Sequence, residues 1–344
     1  MITPRTVSES SSRPGSSRLR RCLHLAGGGL FAAGLVMGSA SFAGADPGDN
    51  DWGGESHAPS VSEQKAASDY WTPERMENAK SADALVDDKD APSGDVASSE
   101  PSTVPSQKAD PAVQKSVQKK VATDGAETAA AGGTDHIGKV FFTQGGTDYV
   151  CSGNAVSSGN KSTVATAGHC TNEDGTWATN WTFVPGYDHG DAPYGKWTAS
   201  DLYSTQQWIS SEDMNYDAAF AVVSPESGSA SLTDTVGGSA VAFNAERGQQ
   251  YTSYGYPAAV PFDGESLENC QGTAFDDTLG DTDDQGIDCD MTGGSSGGPW
   301  FLGGDASGAQ NSVNSFGYTS QANVMYGPYF GDVIQSTYQE AANS

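Results

Sequence analysis

The chain has 344 residues, of which 36% are hydrophobic and 18% are charged, and its formal net charge at pH 7 is −27. A surface this acidic repels the phosphates of nucleic acids and anionic membranes, so the composition excludes both as partners. It would attract cationic substrates, although solubility outside the cell is a sufficient alternative reason for the same charge.

The first 45 residues are typical of a secretory signal peptide. Arg18, Arg20 and Arg21 lie just before an apolar run over residues 23–37, and the small residues 43–45 (AGA) fit a cleavage site. The run is short and glycine-rich, which favours an export signal over a membrane anchor. We therefore expect a secreted, extracellular protein that begins near Asp46 and contacts no membrane after the signal is cleaved.

Residues 46–133 form a polar segment with few aromatic side chains. Such a composition predicts a largely disordered chain, because too little apolar surface is available to offset the entropy of ordering. One short helix is predicted after Thr72, which can act as an N-cap ahead of Pro73. The position between an export signal and a domain favours a pro-segment that acts as a folding aid or plug; a simple spacer is the alternative.

From Thr134 onward, short β-prone stretches alternate with turns rich in Gly, Asn, Asp and Ser. A helical pattern occurs only near the end, over residues 332–341. Many short strands with little helix between them predict an all-β domain over residues 134–344, built as an antiparallel barrel or sandwich. The predicted strands are 139–143, 148–152, 162–166, 181–184, 218–223, 250–254, 298–302 and 311–316.

Four cysteines remain once the one in the signal is excluded. In an oxidising compartment an even number indicates disulfides, and four cysteines allow three pairings. The sequence favours the neighbouring pairs Cys151–Cys170 and Cys270–Cys289, each 19 residues apart. A zinc site is the alternative, but no pair has the close spacing that structural zinc prefers, so we expect no metal.

Three segments carry an imidazole, a carboxylate and a hydroxyl in that order: TAGHC with His169, YDAAF with Asp217, and GGSSGGPW with Ser295 and Ser296. A serine hydroxyl is a weak nucleophile unless a base takes its proton, and a third group must orient that base. Each residue taken alone fits a structural histidine, a turn aspartate or a flexible loop. Their joint occurrence favours nucleophilic catalysis.

These segments resemble the three signature segments of the chymotrypsin-like (trypsin-like) serine peptidases, closest to the secreted bacterial branch near the glutamyl endopeptidases. The resemblance covers nearly all of residues 134–344 and none of the polar segment. It implies two antiparallel six-stranded β-barrels with a short C-terminal helix, and catalysis at their junction. The family's serine block, usually GDSGGP, is in register only if Ser296 is the nucleophile, with Ser295 in place of the usual aspartate.

The same resemblance assigns the catalytic roles. His169 would be the general base, Asp217 would orient it, and Ser296 would attack the substrate. The backbone N–H groups of Gly294 and Ser296 would form the oxyanion hole. The segment Cys151-Ser152-Gly153 followed by Cys170 resembles the family's cystine beside the catalytic histidine.

The substrate-binding residues also follow from the resemblance. Ser315, Phe316 and Gly317 resemble the strand that pairs with the substrate backbone, with Ser315 supporting the triad aspartate. Gly327 resembles a pocket-wall glycine, and together with Gly317 it would keep the pocket open. Asp290 precedes Ser296 by six residues, the register at which trypsin-like enzymes hold a pocket-floor carboxylate.

That register favours basic side chains at the cleavage site, with a solvated surface aspartate as the alternative for Asp290. The glutamyl branch places a histidine where Asn314 stands here, so a preference for acidic residues is not supported.

Ser295 cannot form the buried ion pair that activates trypsin-type zymogens, so control is assigned to residues 46–133. The acidic loop 276–288 partly resembles a calcium loop but lacks the bidentate acid at its twelfth position, so a solvated loop stapled by a disulfide is favoured.

The sequence thus predicts a secreted, monomeric serine endopeptidase that acts on polypeptides, needs no cofactor and is controlled by its own pro-segment. A catalytically inactive binding protein on the same fold is the alternative.

Overall fold

A computed structural model of the chain describes residues 53–82, 85–86, 95–123, 133–280 and 282–344. The predicted signal peptide, residues 1–45, lies outside the described residues. Within them, no helix combines the length and apolar character needed to cross a bilayer.

The described residues contain short strands in chain order, six α-helices and two 3₁₀ turns. The strands are β1 (Gly54–His57), β2 (Lys80–Ser81), β3 (Leu85–Val86), β4 (Ser102–Val104), β5 (Ile137–Gln144), β6 (Thr147–Val156), β7 (Thr163–Thr166), β8 (Asn172–Glu173), β9 (Thr176–Trp177), β10 (Thr179–Pro185), β11 (Trp197–Thr205), β12 (Ala219–Pro225), β13 (Val241–Phe243), β14 (Gln250–Gly255), β15 (Glu268–Thr273), β16 (Phe275–Asp276), β17 (Gln285–Asp288), β18 (Pro299–Leu302), β19 (Gln310–Val313), β20 (Gly317–Tyr318) and β21 (Val324–Gly327). The helices are α1 (Val61–Tyr70), α2 (Pro73–Asn78), α3 (Pro111–Thr123), α4 (Gln206–Ser211), α5 (Leu232–Val236) and α6 (Asp332–Asn343), and the 3₁₀ turns are Gly168–Cys170 and Met214–Tyr216.

Six strands close into an antiparallel barrel in the order β10, β5, β6, β7, β12 and β11, with β11 pairing back to β10. Their side chains fill the barrel with a tightly packed core that includes Phe142, Phe183, Trp197 and Phe220. The predicted C-terminal helix is confirmed as α6, which buries Tyr338 against the Phe220 ring. The predicted all-β domain is therefore confirmed, with one closed barrel.

The second half of the domain differs from the expected second barrel. Strands β15, β14, β18, β19, β13 and β4 form an open sheet, and β16, β17 and β21 form a separate one. Strand β13 pairs with β19 at a single position, Val241 with Gln310, which is too little to continue a barrel wall. The disulfide between Cys270 and Cys289 joins the two sheets where ladder hydrogen bonds do not.

The expected disorder of residues 46–133 is wrong for the described part of that segment, which folds onto the domain. Strand β1 pairs with β11 and β4 pairs with β13, so the segment adds strands to both sheets. Helix α1 begins with a capping box formed by Ser60 and Glu63, and α2 begins at Thr72 and Pro73 as predicted.

Trp71 explains why a segment of such polar composition is ordered. Its side chain is 2% exposed, lies 5.4 Å from the Phe141 ring, and donates a 2.6 Å hydrogen bond to the carbonyl oxygen of Asn180. A buried tryptophan supplies the apolar contact area that the rest of the segment lacks.

Candidate active site

His169 and Asp217 meet because their strands are neighbours in the barrel. The turn that carries His169 follows β7, Asp217 precedes β12, and Thr166 of β7 is paired with Ala219 of β12. One Asp217 oxygen, Oδ1, accepts a 2.8 Å hydrogen bond from the backbone N–H of His169, and Oδ2 lies 2.8 Å from its Nδ1. With the Nδ1 proton directed at the carboxylate, Nε2 is the nitrogen available to act as a base.

The Asp217 carboxylate is fully buried and receives a third hydrogen bond. The hydroxyl of Ser315 donates to Oδ2 over 2.5 Å. Burial acts to raise the pKa of Asp217, but attraction to the His169 ring and the hydrogen bonds from His169 and Ser315 outweigh it and hold the pKa below its usual value. The site therefore keeps this carboxylate ionised.

Gly168 leaves the room that this pair needs. A Cβ on Gly168 would lie 2.9 Å from Oδ1 of Asp217 and 2.7 Å from the ring of Trp208. The Trp208 ring in turn packs against His169, with centroids 6.1 Å apart, and donates a hydrogen bond to the carbonyl oxygen of Asn172. Trp208, which the sequence did not indicate as a site residue, thus packs beside the imidazole of His169.

The loop that carries Ser296 is fastened to β6 beside the histidine turn. The N–H of Ser152 donates a 2.7 Å hydrogen bond to the Ser296 carbonyl oxygen, and the Ser152 hydroxyl donates to the Gly294 carbonyl oxygen. Sγ of Cys170, the residue after His169, lies 3.8 Å from the Ser296 carbonyl oxygen. These contacts bring the loop next to the Asp217–His169 pair.

Glycine is needed at two points of this loop. Gly294 and Gly297 have φ angles of +94° and +79°, which side chains with a Cβ rarely adopt. A Cβ at Gly297 would lie 2.2 Å from the Thr166 hydroxyl, and one at Gly294 would lie 2.7 Å from the carbonyl oxygen of Tyr256. The glycines allow the backbone to turn sharply while passing close to its neighbours.

Both expected disulfides are confirmed. Cys151–Cys170 ties β6 to the turn that carries His169, and Cys270–Cys289 links the two sheets of the second half. The ligand atoms of Cys151, His169 and Cys170 lie within 4.8 Å of one another, as in a metal site, but both sulfurs are consumed in the disulfide. The zinc alternative is therefore wrong for these cysteines.

Ser295 is a buried structural residue. Its hydroxyl donates a 2.8 Å hydrogen bond to the carbonyl oxygen of Thr292, and its own carbonyl oxygen accepts one from the Asn314 amide. Asn314 makes further bonds to the second half of the domain, accepting from the Ser253 hydroxyl and the Trp300 indole. The Asn314 side chain is therefore engaged behind the site and does not line the adjacent pocket.

A pocket of about 450 Å³ opens beside Ser296. Asp290, Ser315, Phe316 and Gly317 line it as expected. Gly327 does not: it lies behind the wall, where a Cβ would come within 2.2 Å of the Val313 carbonyl oxygen. Lining residues that the sequence did not indicate include Ala259, Met291, Thr292, Tyr318, Gln321, Asn323, Val324 and Met325.

Asp284, in the acidic loop, is fully buried, and neither of its carboxylate oxygens has a hydrogen-bond partner in the described part of the chain. Burial, together with repulsion from Asp217, Asp277 and Asp213, raises the pKa of Asp284 well above its usual value. Among the described residues, which leave out position 281, no three acidic side chains of this loop converge as calcium ligands would.

The structure also places a residue at the serine loop that the sequence did not predict there. The carbonyl oxygen of Ala82, in the polar segment 46–133, accepts hydrogen bonds of 3.3 Å from the N–H of Gly294 and from the hydroxyl of Ser296. No local signal marks Ala82, and 214 residues separate it from Ser296 in the chain.

Comparisons with known proteins agree with this geometry. The chain is 58% identical to the protease Anisep from Arthrobacter nicotinovorans, with a TM-score of 0.59, over 64% of this chain and 99% of that one. It is 50% identical to the thermostable serine protease AL20 from an extremophilic microorganism, with a TM-score of 0.59, over 61% of this chain and 98% of that one. A Glu endopeptidase shares the fold at 17% identity, with a TM-score of 0.50 over 63% of this chain and 97% of that one.

Other comparisons add less. No protein-family model matches the chain. A protein of Bacillus subtilis (strain 168) named extracellular metalloprotease is 41% identical over 70 residues, which is 20% of this chain and 21% of that relative. The chain thus matches only about a fifth of the length of that curated relative.

The closed barrel, the buried Asp–His pair and the glycine-rich serine loop define the chymotrypsin-like class of proteins. With relatives of 58% and 50% identity matched over almost their whole lengths, the chain belongs to the chymotrypsin-like serine peptidases. It is a serine-type endopeptidase.

Proposed function

We propose that the protein is a secreted endopeptidase that hydrolyses peptide bonds through Ser296, His169 and Asp217, by way of an acyl-enzyme. The observation that carries the proposal is the buried hydrogen bond of 2.8 Å between Asp217 Oδ2 and His169 Nδ1, beside the loop of Ser296. A buried carboxylate that fixes one tautomer of an imidazole leaves Nε2 as a base for a nearby hydroxyl.

In this mechanism Nε2 of His169 takes the Ser296 hydroxyl proton as Oγ attacks the substrate carbonyl carbon. The N–H groups of Gly294 and Ser296 stabilise the negative oxygen of the tetrahedral intermediate. When the C–N bond breaks, His169 returns the proton to the leaving amine and Ser296 retains the acyl group as an ester. Water, deprotonated by His169, then hydrolyses the ester, while Asp217 stabilises the imidazolium in both halves.

We further propose a preference for basic side chains before the cleaved bond. Asp290 is an exposed carboxylate on a pocket that is otherwise lined by neutral residues. A lysine or arginine side chain that fills the pocket would gain an ion pair there. Asn314, engaged in four hydrogen bonds away from the pocket, offers nothing for an acidic side chain.

The proposal also includes the location of the enzyme, its oligomeric state and its pro-segment. Two disulfides and the relationship to bacterial proteases are consistent with an extracellular protein. We propose that it acts as a monomer on polypeptides without a cofactor, and that residues 46–133 are its pro-segment.

A fluorophosphonate probe tests the nucleophile. The protein freed of its pro-segment should be labelled at Ser296, and His169→Ala should abolish the labelling because the hydroxyl then has no base. Ser295→Ala is the matched control, since it removes the neighbouring hydroxyl and should leave labelling intact. A folded protein that the probe does not label would support the inactive binding protein instead.

A further inference from the structure

Two described parts of the pro-segment, residues 80–82 and 85–86, lie on opposite walls of the candidate active site. On the first wall, β2 runs parallel to β6, with Lys80 opposite Tyr149 and Ser81 opposite Val150. The N–H of Ala82 then donates a 3.1 Å hydrogen bond to the Val150 carbonyl oxygen. On the second wall, β3 runs parallel to β20, with Gly317 opposite Leu85.

Between the two walls, the Ala82 carbonyl oxygen occupies the position of a reacting carbonyl. It accepts from the N–H of Gly294, one of the two proposed oxyanion donors, and from the hydroxyl of the proposed nucleophile Ser296. A bond from the hydroxyl to this oxygen directs the Ser296 proton at the Ala82 carbonyl.

The direction of the chain through the cleft is opposite to that of a substrate. A peptidase pocket holds the side chain that precedes the cleaved bond, so the N-terminal part of a substrate lies on the pocket side. Ser315–Tyr318 line the pocket, and no residue of β6 does. A substrate must therefore enter along β20 and leave along β6, whereas the pro-segment reaches β6 first and β20 afterwards.

We infer that residues 80–82 and 85–86 inhibit the enzyme by binding in the active site in reverse, with the carbonyl oxygen of Ala82 held by the N–H of Gly294 as in an uncleaved substrate mimic. The inference deepens the proposed function and rests on it. Acylation at Ala82 would require His169 to protonate the departing amine. The leaving group of a substrate departs along β6, beside the cystine next to His169, whereas the chain after Ala82 is next described at β3, on the β20 wall.

Anchors on both sides of the reversed segment hold it in place. Before it, Trp71 is buried, the Tyr70 hydroxyl and Arg75 both bond the Asp148 carboxylate, and Lys196 donates to the carbonyl oxygen of Ser68. After it, the N–H of Val96 donates to Asp283 over 2.6 Å, and Ser99 bonds the carboxylate of Asp332. The binding energy of the pro-segment thus comes from contacts that a substrate does not make. Its central residues can therefore bind in the unreactive direction.

Paired cysteines in the full-length chain test the direction without relying on activity. In an inactive Ser296→Ala background, Lys80→Cys with Tyr149→Cys and Val86→Cys with Tyr318→Cys should each form a disulfide, because directly paired strand residues lie within bonding range. The swapped pairs, K80C with Y318C and V86C with Y149C, are the matched controls and should not. Cross-linking of the swapped pairs, or of none of the four, would overturn the inference, and the two expected pairs serve as independent checks if one variant does not fold.

Labelling kinetics test inhibition in the otherwise unaltered full chain. Trp71→Ala should speed fluorophosphonate labelling of Ser296 at least about 30-fold, since a buried tryptophan at an interface is a typical energetic hot spot. Glu77→Ala, on the exposed face of α2, is the control and should leave the rate unchanged. Rapid self-cleavage after Ala82 would show a substrate-like segment and refute the reversed binding. Failure of labelling in the processed enzyme would instead refute the proposed function and leave the cross-linking result standing.

Discussion

The Ser315 hydroxyl and the Nδ1 of His169 both bond the same oxygen of Asp217, over 2.5 and 2.8 Å. Asp217 is fully buried, so these bonds replace the water that an exposed carboxylate would have. A single carboxylate thus joins the start of β12, the turn that carries His169 and the segment that leads into β20. Its geometry is therefore sensitive to changes in any of the three.

Replacing Ser315 with alanine should lower kcat/KM about 10- to 100-fold, because a hydrogen bond to a buried charge contributes about 1.5–3 kcal/mol. The loss leaves Asp217 less well solvated and the imidazole less firmly oriented. Steady-state kinetics on the processed enzyme measure the effect. Ser312→Ala, which removes another buried hydroxyl bonded to the carbonyl oxygen of Pro328, is the control and should leave kcat/KM within a few-fold of wild type. Equal losses in both variants would mean that Ser315 acts only through packing.

Gly294→Ala should abolish most activity. The new Cβ would lie 2.7 Å from the Tyr256 carbonyl oxygen at a φ of +94°, so the N–H that we propose as an oxyanion donor must move. Loss of one such donor typically costs 10²- to 10³-fold in kcat, or ~3–4 kcal/mol. Gly303→Ala separates backbone strain at a positive φ from displacement of the Gly294 N–H. Gly303 has a φ of +96°, but no atom lies within 4 Å of the added Cβ. It should destabilise the fold mildly and spare kcat; similar kcat losses in the two would contradict the assignment.

Asp284→Asn should stabilise the protein at neutral pH. The folded state holds the pKa of Asp284 well above its usual value of 3.8, so the unfolded chain loses this proton first as pH rises. The free energy of unfolding therefore falls with rising pH from about that value until the folded-state pKa is passed. Removing the titration should raise the unfolding free energy at pH 7 by on the order of 1–3 kcal/mol.

Urea unfolding of that variant at several pH values measures the change, with the largest gain expected at the highest pH. Asp288→Asn, an exposed neighbour on β17, should give no comparable gain. A gain that does not grow with pH would show that Asp284 is not the titrating group.

Asp290→Asn should remove the proposed preference for basic side chains. An ion pair in a partly enclosed pocket is expected to favour lysine or arginine over a neutral residue of similar length by roughly 10- to 100-fold. A peptide library cleaved by the processed enzyme measures the change, and neutral substrates should be cut at an unaltered rate. Asp288→Asn tests whether general surface charge is responsible, since Asp288 is exposed and does not line the pocket.

Much of the local structure was predictable because its signals are short-range. Thr72 and Pro73 begin α2 as their capping chemistry requires, and the alternation of β-prone residues and turns placed strands such as β5 and β14 to within a few residues. The pairs Cys151–Cys170 and Cys270–Cys289, which the sequence favoured as neighbours among three possible pairings, are confirmed. The resemblance at His169, Asp217 and Ser296 identified the family that the comparisons show.

The tertiary structure alone decided that the second half forms two open sheets, that Gly327 lies behind the pocket wall, and where the described part of the polar segment 46–133 lies. Composition sums over residues and predicts disorder for a polar segment, but a single buried side chain such as Trp71 can order its neighbours through contacts with strands far away in sequence. Ala82 is a small residue without any local signal, and only the pairing of β2 with β6 brings its carbonyl oxygen to Ser296. Capping and strand propensity act within a few residues, whereas the pairings of β2 with β6 and of β3 with β20 join residues far apart in the chain, which sequence periodicity does not encode.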